Sequence, residues 1–218
     1  MGLFNSNKAA NANNPYRDSA ANLVYNLLFC DNLELLKQNI STPVSYPFDV
    51  LFNDSSTVAD LQKIIDDETL ESRLKIFAYN QQMLKGHKPT QKELLAVVIE
   101  VALDEGLDVL GSFKDGTARY INYSGKMVVW EATDATSNAL TSALFSNSFE
   151  IVKRIGVWDE PRRPFPMKGL LRITFLVSDG IYFGEGPIDA LFNDQLANPA
   201  LMAGTELMRY ITDKAMNK

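Results

Sequence analysis

The residues best equipped for chemistry lie in one proline-rich stretch, Trp158-Asp159-Glu160-Pro161-Arg162-Arg163-Pro164-Phe165-Pro166. An arginine guanidinium presents a planar fork of donors that matches a carboxylate or a phosphate. Trp and Arg are enriched among the anchors of binding surfaces, and prolines lower the entropy lost when a loop is ordered. Two carboxylates follow in the next strand pair, Asp179 and Glu185. Trp158, Arg162, Arg163, Phe165, Asp179 and Glu185 are therefore the candidates for meeting a ligand or a partner. The plain alternative is a rigid crossover, with Trp158 and Phe165 packed inward and both arginines paired to local acids.

Other chemistry finds less material. His87 is the single histidine and Cys30 the single cysteine. A histidine cage, a cysteine zinc site and an intramolecular disulfide are each excluded within one chain. Cys30 follows Leu27, Leu28 and Phe29 and reads as a small buried hydrophobe. Ser72-Arg73-Leu74-Lys75 fits S-x-x-K without the companion K-T-G, and no G-x-S-x-G elbow supplies a nucleophilic serine. Gly184-Glu185-Gly186 lacks the third glycine of a dinucleotide fingerprint, and no phosphate-binding P-loop is present. Asp104/Glu105 and Asp159/Glu160 are neighbouring carboxylates of the kind that turns carry. No catalytic residue, metal site or cofactor is assigned, and the balance leans away from an enzyme.

The chain has 218 residues, 21 basic and 27 acidic, for a net charge of −6. That balance disfavours a phosphate backbone as partner and favours solubility. No apolar run approaches the length of a membrane span. The first residues, MGLFNSNKAANANNP, show no signal-peptide core, although Gly2 and Ser6 fit the loose myristoylation pattern. A reducing cytoplasm suits the lone cysteine.

The elements that must position the candidates read as follows. Residues 1–14 form a flexible lead, and residues 15–218 one α+β domain. Its first part, 15–89, is mainly helical. Helices are expected near 15–28, from Asp31/Glu34 to Ile40, from Thr57/Asp60 to Asp66, and from Thr69 to Leu84. The part from 90 to 218 carries a sheet and two helices. LLAVVIEVAL at 94–103, then LDVLGSFK, TARYINY and KMVVWE, predicts a four-strand antiparallel meander. Asp115-Gly116 and Ser124-Gly125 supply its turns. Asp108, Ser112 and Lys114 alternate with Leu107, Val109 and Phe113, so one face of that strand should be polar. A helix from 133–134 to Ile155, ended by Gly156, precedes a hairpin turning at Asp179-Gly180. A last helix is capped at Asn198 with Pro199 behind it. The fold class is α+β, with about six mostly antiparallel strands and helices packed against them.

One further pattern stands out. PFDVLFND at 47–54 returns as PIDALFND at 187–194, matching at Pro, Asp, Leu, Phe, Asn and Asp. It reads as a repeated packing solution before a helix: a proline to fix direction, a Leu-Phe plug and an Asn-Asp turn. The function expected from all this is a non-enzymatic protein-binding or assembly module, with a protein partner or self-association and no nucleic acid. The alternative is an enzyme or small-ligand binder using Asp179 and Glu185 opposite Arg162 or Arg163.

Overall fold

A computed structural model describes residues 13–216, so nearly all of the expected N-terminal lead, including Gly2 and Ser6, lies outside the described residues. Six strands form one sheet: β1 (Leu94–Ala102), β2 (Leu107–Phe113), β3 (Ala118–Ile121), β4 (Met127–Trp130), β5 (Leu170–Val177) and β6 (Gly180–Pro187). The order is β4-β3-β2-β1-β5-β6, and every neighbouring pair is antiparallel. The meander thus supplies four strands, and the later hairpin attaches to the free side of β1.

The apolar run at 94–103 becomes the central strand because both of its faces are covered. Ala96, Val98 and Ala102 face a core built with the N-terminal helices, whereas Val97 and Ile99 face a second core. The first layer comprises α1 (Ser19–Leu27), α2 (Leu33–Gln38), α3 (Phe48–Leu51), α4 (Val58–Asp66) and α5 (Ser72–Leu84). The second comprises α6 (Ala135–Val152), α7 (Ile188–Asn193) and α8 (Asn198–Met216). Gly204 lets α8 come close to the sheet: a Cβ there would meet Ile99 Cδ1 at 2.5 Å. The expected polar face of β2 is corrected by this double cover, since Ser112 is fully buried.

Local signals explain most boundaries. Thr57 and Asp60 form the expected capping box of α4, and Asp134 and Ser137 form one for α6. At both meander turns, only the glycine has positive φ, +86° at Gly116 and at Gly125. The hydrogen bonds Gly116 N to Phe113 O and Phe113 N to Thr117 O describe a type I turn closed by a glycine bulge. The two-residue primed turn expected at Asp115-Gly116 is not formed. In the later hairpin Val177 pairs with Gly180, so the turn residues are Ser178 and Asp179.

Several element ends differ from expectation. Asn32, not Asp31, caps α2. Helix α5 starts at Ser72 rather than Thr69, because Asp67 draws the Thr69 amide and hydroxyl into a local turn. The Ser72 amide donates to Asp115 Oδ2 at 2.7 Å, and the Asp115 amide donates back to Ser72 Oγ at 3.0 Å. Helix α6 ends at Val152, before Gly156. The turn leading into α8 is capped by Asp194, which accepts from the amides of Leu196 and Ala197, while Asn198 donates to Phe192 O.

Both copies of the octapeptide wind into a short helix, α3 and α7, behind their prolines. Leu51 is buried in the first core, with Phe52 against it, and Leu191 and Phe192 pack against the second. The copies lie on opposite faces of the sheet in unlike surroundings, so one local packing device is used twice. None of the described helices is long and apolar enough to cross a membrane.

Asp115 ties the β2–β3 turn to the start of α5, and Asp115→Ala removes that cap. The expected cost is about 1–2 kcal/mol of stability, read as a lower urea midpoint at unchanged slope. Wild-type stability in this variant would mean that the cross-layer cap contributes nothing.

Candidate functional site

The proline-rich segment at 157–166 runs along the outer edge of β6. Trp158 N donates to Ile181 O at 2.7 Å, and its indole Nε1 donates to Pro161 O at 3.1 Å. The indole meets Phe183 edge-on at 5.0 Å between ring centres. Phe165 packs against the first core. The segment is thus a strap that bridges the edge of the sheet at Ile181 and packs Trp158 on Phe183.

Beneath the strap lies a charge ladder that crosses three strands. Glu100 on β1 stands opposite Arg172 on β5, which stands opposite Glu185 on β6. Arg172 donates through Nε to Glu185 Oε2 at 2.8 Å and closes a second, shorter contact through Nη2. Its Nη1 lies 3.7 Å from Glu100 Oε2. Glu100 is fully buried and accepts from the Tyr25 hydroxyl at 2.7 Å.

The strap adds two arginines to this ladder. Arg162 Nε donates to Asp31 Oδ2 at 2.6 Å, Nη2 donates to Asn26 Oδ1 at 2.9 Å, and the guanidinium lies 4.0 Å from the centre of the Phe29 ring. Its side chain is only 9% exposed. Arg163 is half exposed, reaches Glu185 Oε1 at 3.4 Å and lies over Phe183. Three guanidiniums thus meet three carboxylates: Arg162, Arg163 and Arg172 against Asp31, Glu100 and Glu185.

Of the six residues singled out in the sequence, five gather here: Trp158, Arg162, Arg163, Phe165 and Glu185. Asp179 does not join them. It sits at the tip of the β5–β6 hairpin, where it accepts from the Tyr182 hydroxyl at 2.9 Å and lies 3.7 Å from Lys92 Nζ. Sequence reasoning missed Glu100 and Arg172. The signal was present: Glu100 is the one charged residue in LLAVVIEVA, and Arg172 the one in LLRITFLV. A lone charge inside an apolar strand requires an opposite partner on the neighbouring strand.

Burial raises the Glu100 carboxyl above the ordinary carboxylate range, against the opposing pull of the Tyr25 hydroxyl bond and of Arg172. Arg172 spends its better geometry on Glu185, which explains why its pull on Glu100 does not prevail. Cys30, also buried, has its thiol pushed up by desolvation and is no nucleophile. Among the described residues, no group of three or more His, Cys, Asp and Glu side chains could hold a metal ion.

The second feature of note is the opposite edge of the sheet. Neighbouring registers fix which backbone groups of β4 point outward. Phe113 N donates to Thr117 O and Asn122 N to Lys126 O, so Val128 and Trp130 bond to β3. The amides and carbonyls of Met127, Val129 and Glu131 point away from the sheet. The side chains of Met127 and Val129 are 39% and 56% exposed, and nearby Tyr123 is 50% exposed. No proline, bulge or charge interrupts Met127–Trp130, the devices that usually protect an edge.

Stability as a function of pH tests the ladder. A carboxyl with its folded pKa above its unfolded value contributes fully below the unfolded pKa and loses that contribution as pH rises through the folded one. Glu100→Gln keeps the shape and removes the ionisation. Relative to wild type, its urea midpoint should climb as pH rises from the ordinary carboxylate range toward neutrality. A difference that falls with pH would show Glu100 to be held as a carboxylate throughout.

Compared with known proteins, the chain matches no family model, no curated protein and no solved structure.

Proposed function

We propose that the protein is an assembly module that associates with a second copy of itself through the outer edge of β4. The observation that carries this reading is the contrast between the two sheet edges. The β6 edge is bridged by the strap at Ile181 and carries Gly184, Gly186 and Pro187. The β4 edge offers the outward amides and carbonyls of Met127 and Val129, the outward amide of Glu131 and an exposed apolar pair, while the Glu131 carbonyl accepts from Thr133 N at 3.1 Å.

A second copy suits that edge by symmetry. Closed twofold pairing is the commonest route to an oligomer. Side chains of paired residues must share a face, so an antiparallel pairing about a twofold axis is centred on a residue, not between two. Centring it on Val129 sets Val129 against its equivalent and Met127 against Glu131. In that register the Val129 groups pair with their equivalents and the Glu131 amide meets the Met127 carbonyl, while the Glu131 carbonyl is shared with Thr133 N. The exposed faces of Met127 and Val129 become a continuous apolar strip across the junction. Recognition through the strap is less well supported, because Trp158, Phe165 and the Nε and Nη2 groups of Arg162 are already engaged internally.

Sedimentation equilibrium over a concentration series tests this directly, with a dimer expected. Val129→Pro removes an outward N–H without touching the bonds to β3, and Val129→Lys places a charge at the junction. Each should weaken association by about tenfold or more, with the far-ultraviolet circular dichroism unchanged. A wild-type protein that stays monomeric throughout, or a dimer indifferent to both substitutions, would sink the reading.

A further inference from the structure

At the end of the sheet where β1 begins and β2 finishes, the two helical layers diverge around a cleft of about 740 Å3. Tyr79 and the segment after α5 form one wall, and Phe145, Ser146 and Phe149 of α6 form the other. Lys92, Glu93 and Lys114 lie between them.

The charged groups here are paired in advance. Lys114 Nζ lies 2.5 Å from Glu93 Oε1, and the Tyr79 hydroxyl donates to Glu93 Oε2 at 3.1 Å. Lys92 Nζ donates to the Tyr182 hydroxyl at 2.6 Å and lies 3.7 Å from Asp179 Oδ2. Both ammonium side chains remain about half exposed, at 47% and 54%. An ammonium carries three donors and a carboxylate about four acceptor positions, so each group keeps capacity for further bonds.

We infer that this cleft binds a neutral polyhydroxylated ligand, a saccharide. Each lining ammonium already has a carboxylate close by, Glu93 in the cleft wall beside Lys114 and Asp179 behind Lys92, so an anion gains little from either, and a cation drawn to Glu93 meets Lys114. A hydroxyl both donates and accepts, so it can bridge Lys114 and Glu93 without adding charge or breaking their pair. Thr90, Gln91 and Ser146 supply further neutral donors and acceptors around the rim. Phe145 and Phe149 stand one turn apart on α6 with partly exposed rings; Lys153 Nζ lies 5.7 Å from the centre of the Phe149 ring, which leaves Phe145 as the ring for the C–H face of a sugar. Both charge pairs are completed by tyrosines from other elements, Tyr79 on α5 and Tyr182 on β6, which fixes their positions before a ligand arrives.

Saturation-transfer NMR tests this on the intact protein. One sample set pools neutral mono- and disaccharides, and another holds citrate and inorganic phosphate. Transfer to saccharide protons is expected, with citrate silent and phosphate unable to compete. Glu93→Gln and Lys114→Met should each weaken saccharide binding by about tenfold, the value of one charge-assisted hydrogen bond. Ser146→Trp fills the cleft from an exposed position and leaves both charge pairs intact, so it separates loss of the site from loss of the fold. No transfer from any saccharide pool, competition by phosphate, citrate bound in preference, or binding that survives Ser146→Trp would each overturn the assignment.

Discussion

Arg172 stands between two carboxylates on the strands either side of its own, and the architecture of that whole face answers to it. A guanidinium that is 5% exposed beside a fully buried carboxylate costs several kcal/mol to desolvate unless its partners are fixed. The sheet supplies the fixing. Antiparallel register sets Glu100, Arg172 and Glu185 in line, α1 brings Tyr25 to Glu100, and the strap brings Arg162 and Arg163 over the top. Removing Arg172 leaves Glu100 and most of Glu185 buried without compensation, so β1, β5 and β6 are held to a common geometry.

Both sheet faces are spent on cores, and the β6 edge is bridged by the strap. The two places proposed for contact are the opposite edge, formed by the short strand β4, and the end of the sheet where the helical layers part. The first offers backbone groups and apolar side chains, and the second offers paired charges and aromatic rings. They lie apart, so occupation of one leaves the other open.

Much of this was legible in the chain. Glycine-bearing turns after β2 and β3 marked the meander, and Thr57 with Asp60 marked the start of α4, because both signals act within a few residues. Glu100 and Arg172 were legible in principle, as opposite charges inside two apolar strands that then had to be neighbours. The double cover of β2 was hidden, since Ser112 reads as an exposed alternation until α6 and α8 are known to close that face. The start of α5 was hidden for a different reason: Thr69 is a fair cap by type, but Asp67 claims it first. Arg162 and Arg163 were noticed for the right chemistry, yet only the fold could say that Asp31 and Glu185 were their partners and that Asp179 was not.

The cap on α5 comes from 43 residues downstream. The helices of the first layer are synthesised before the strands, and domains generally begin to organise as the chain emerges. Here, however, the N-terminus of α5 cannot be completed until Asp115 has been made and the β2–β3 turn has closed. The cap at this end of α5 and the turn between the strands it covers are therefore completed together.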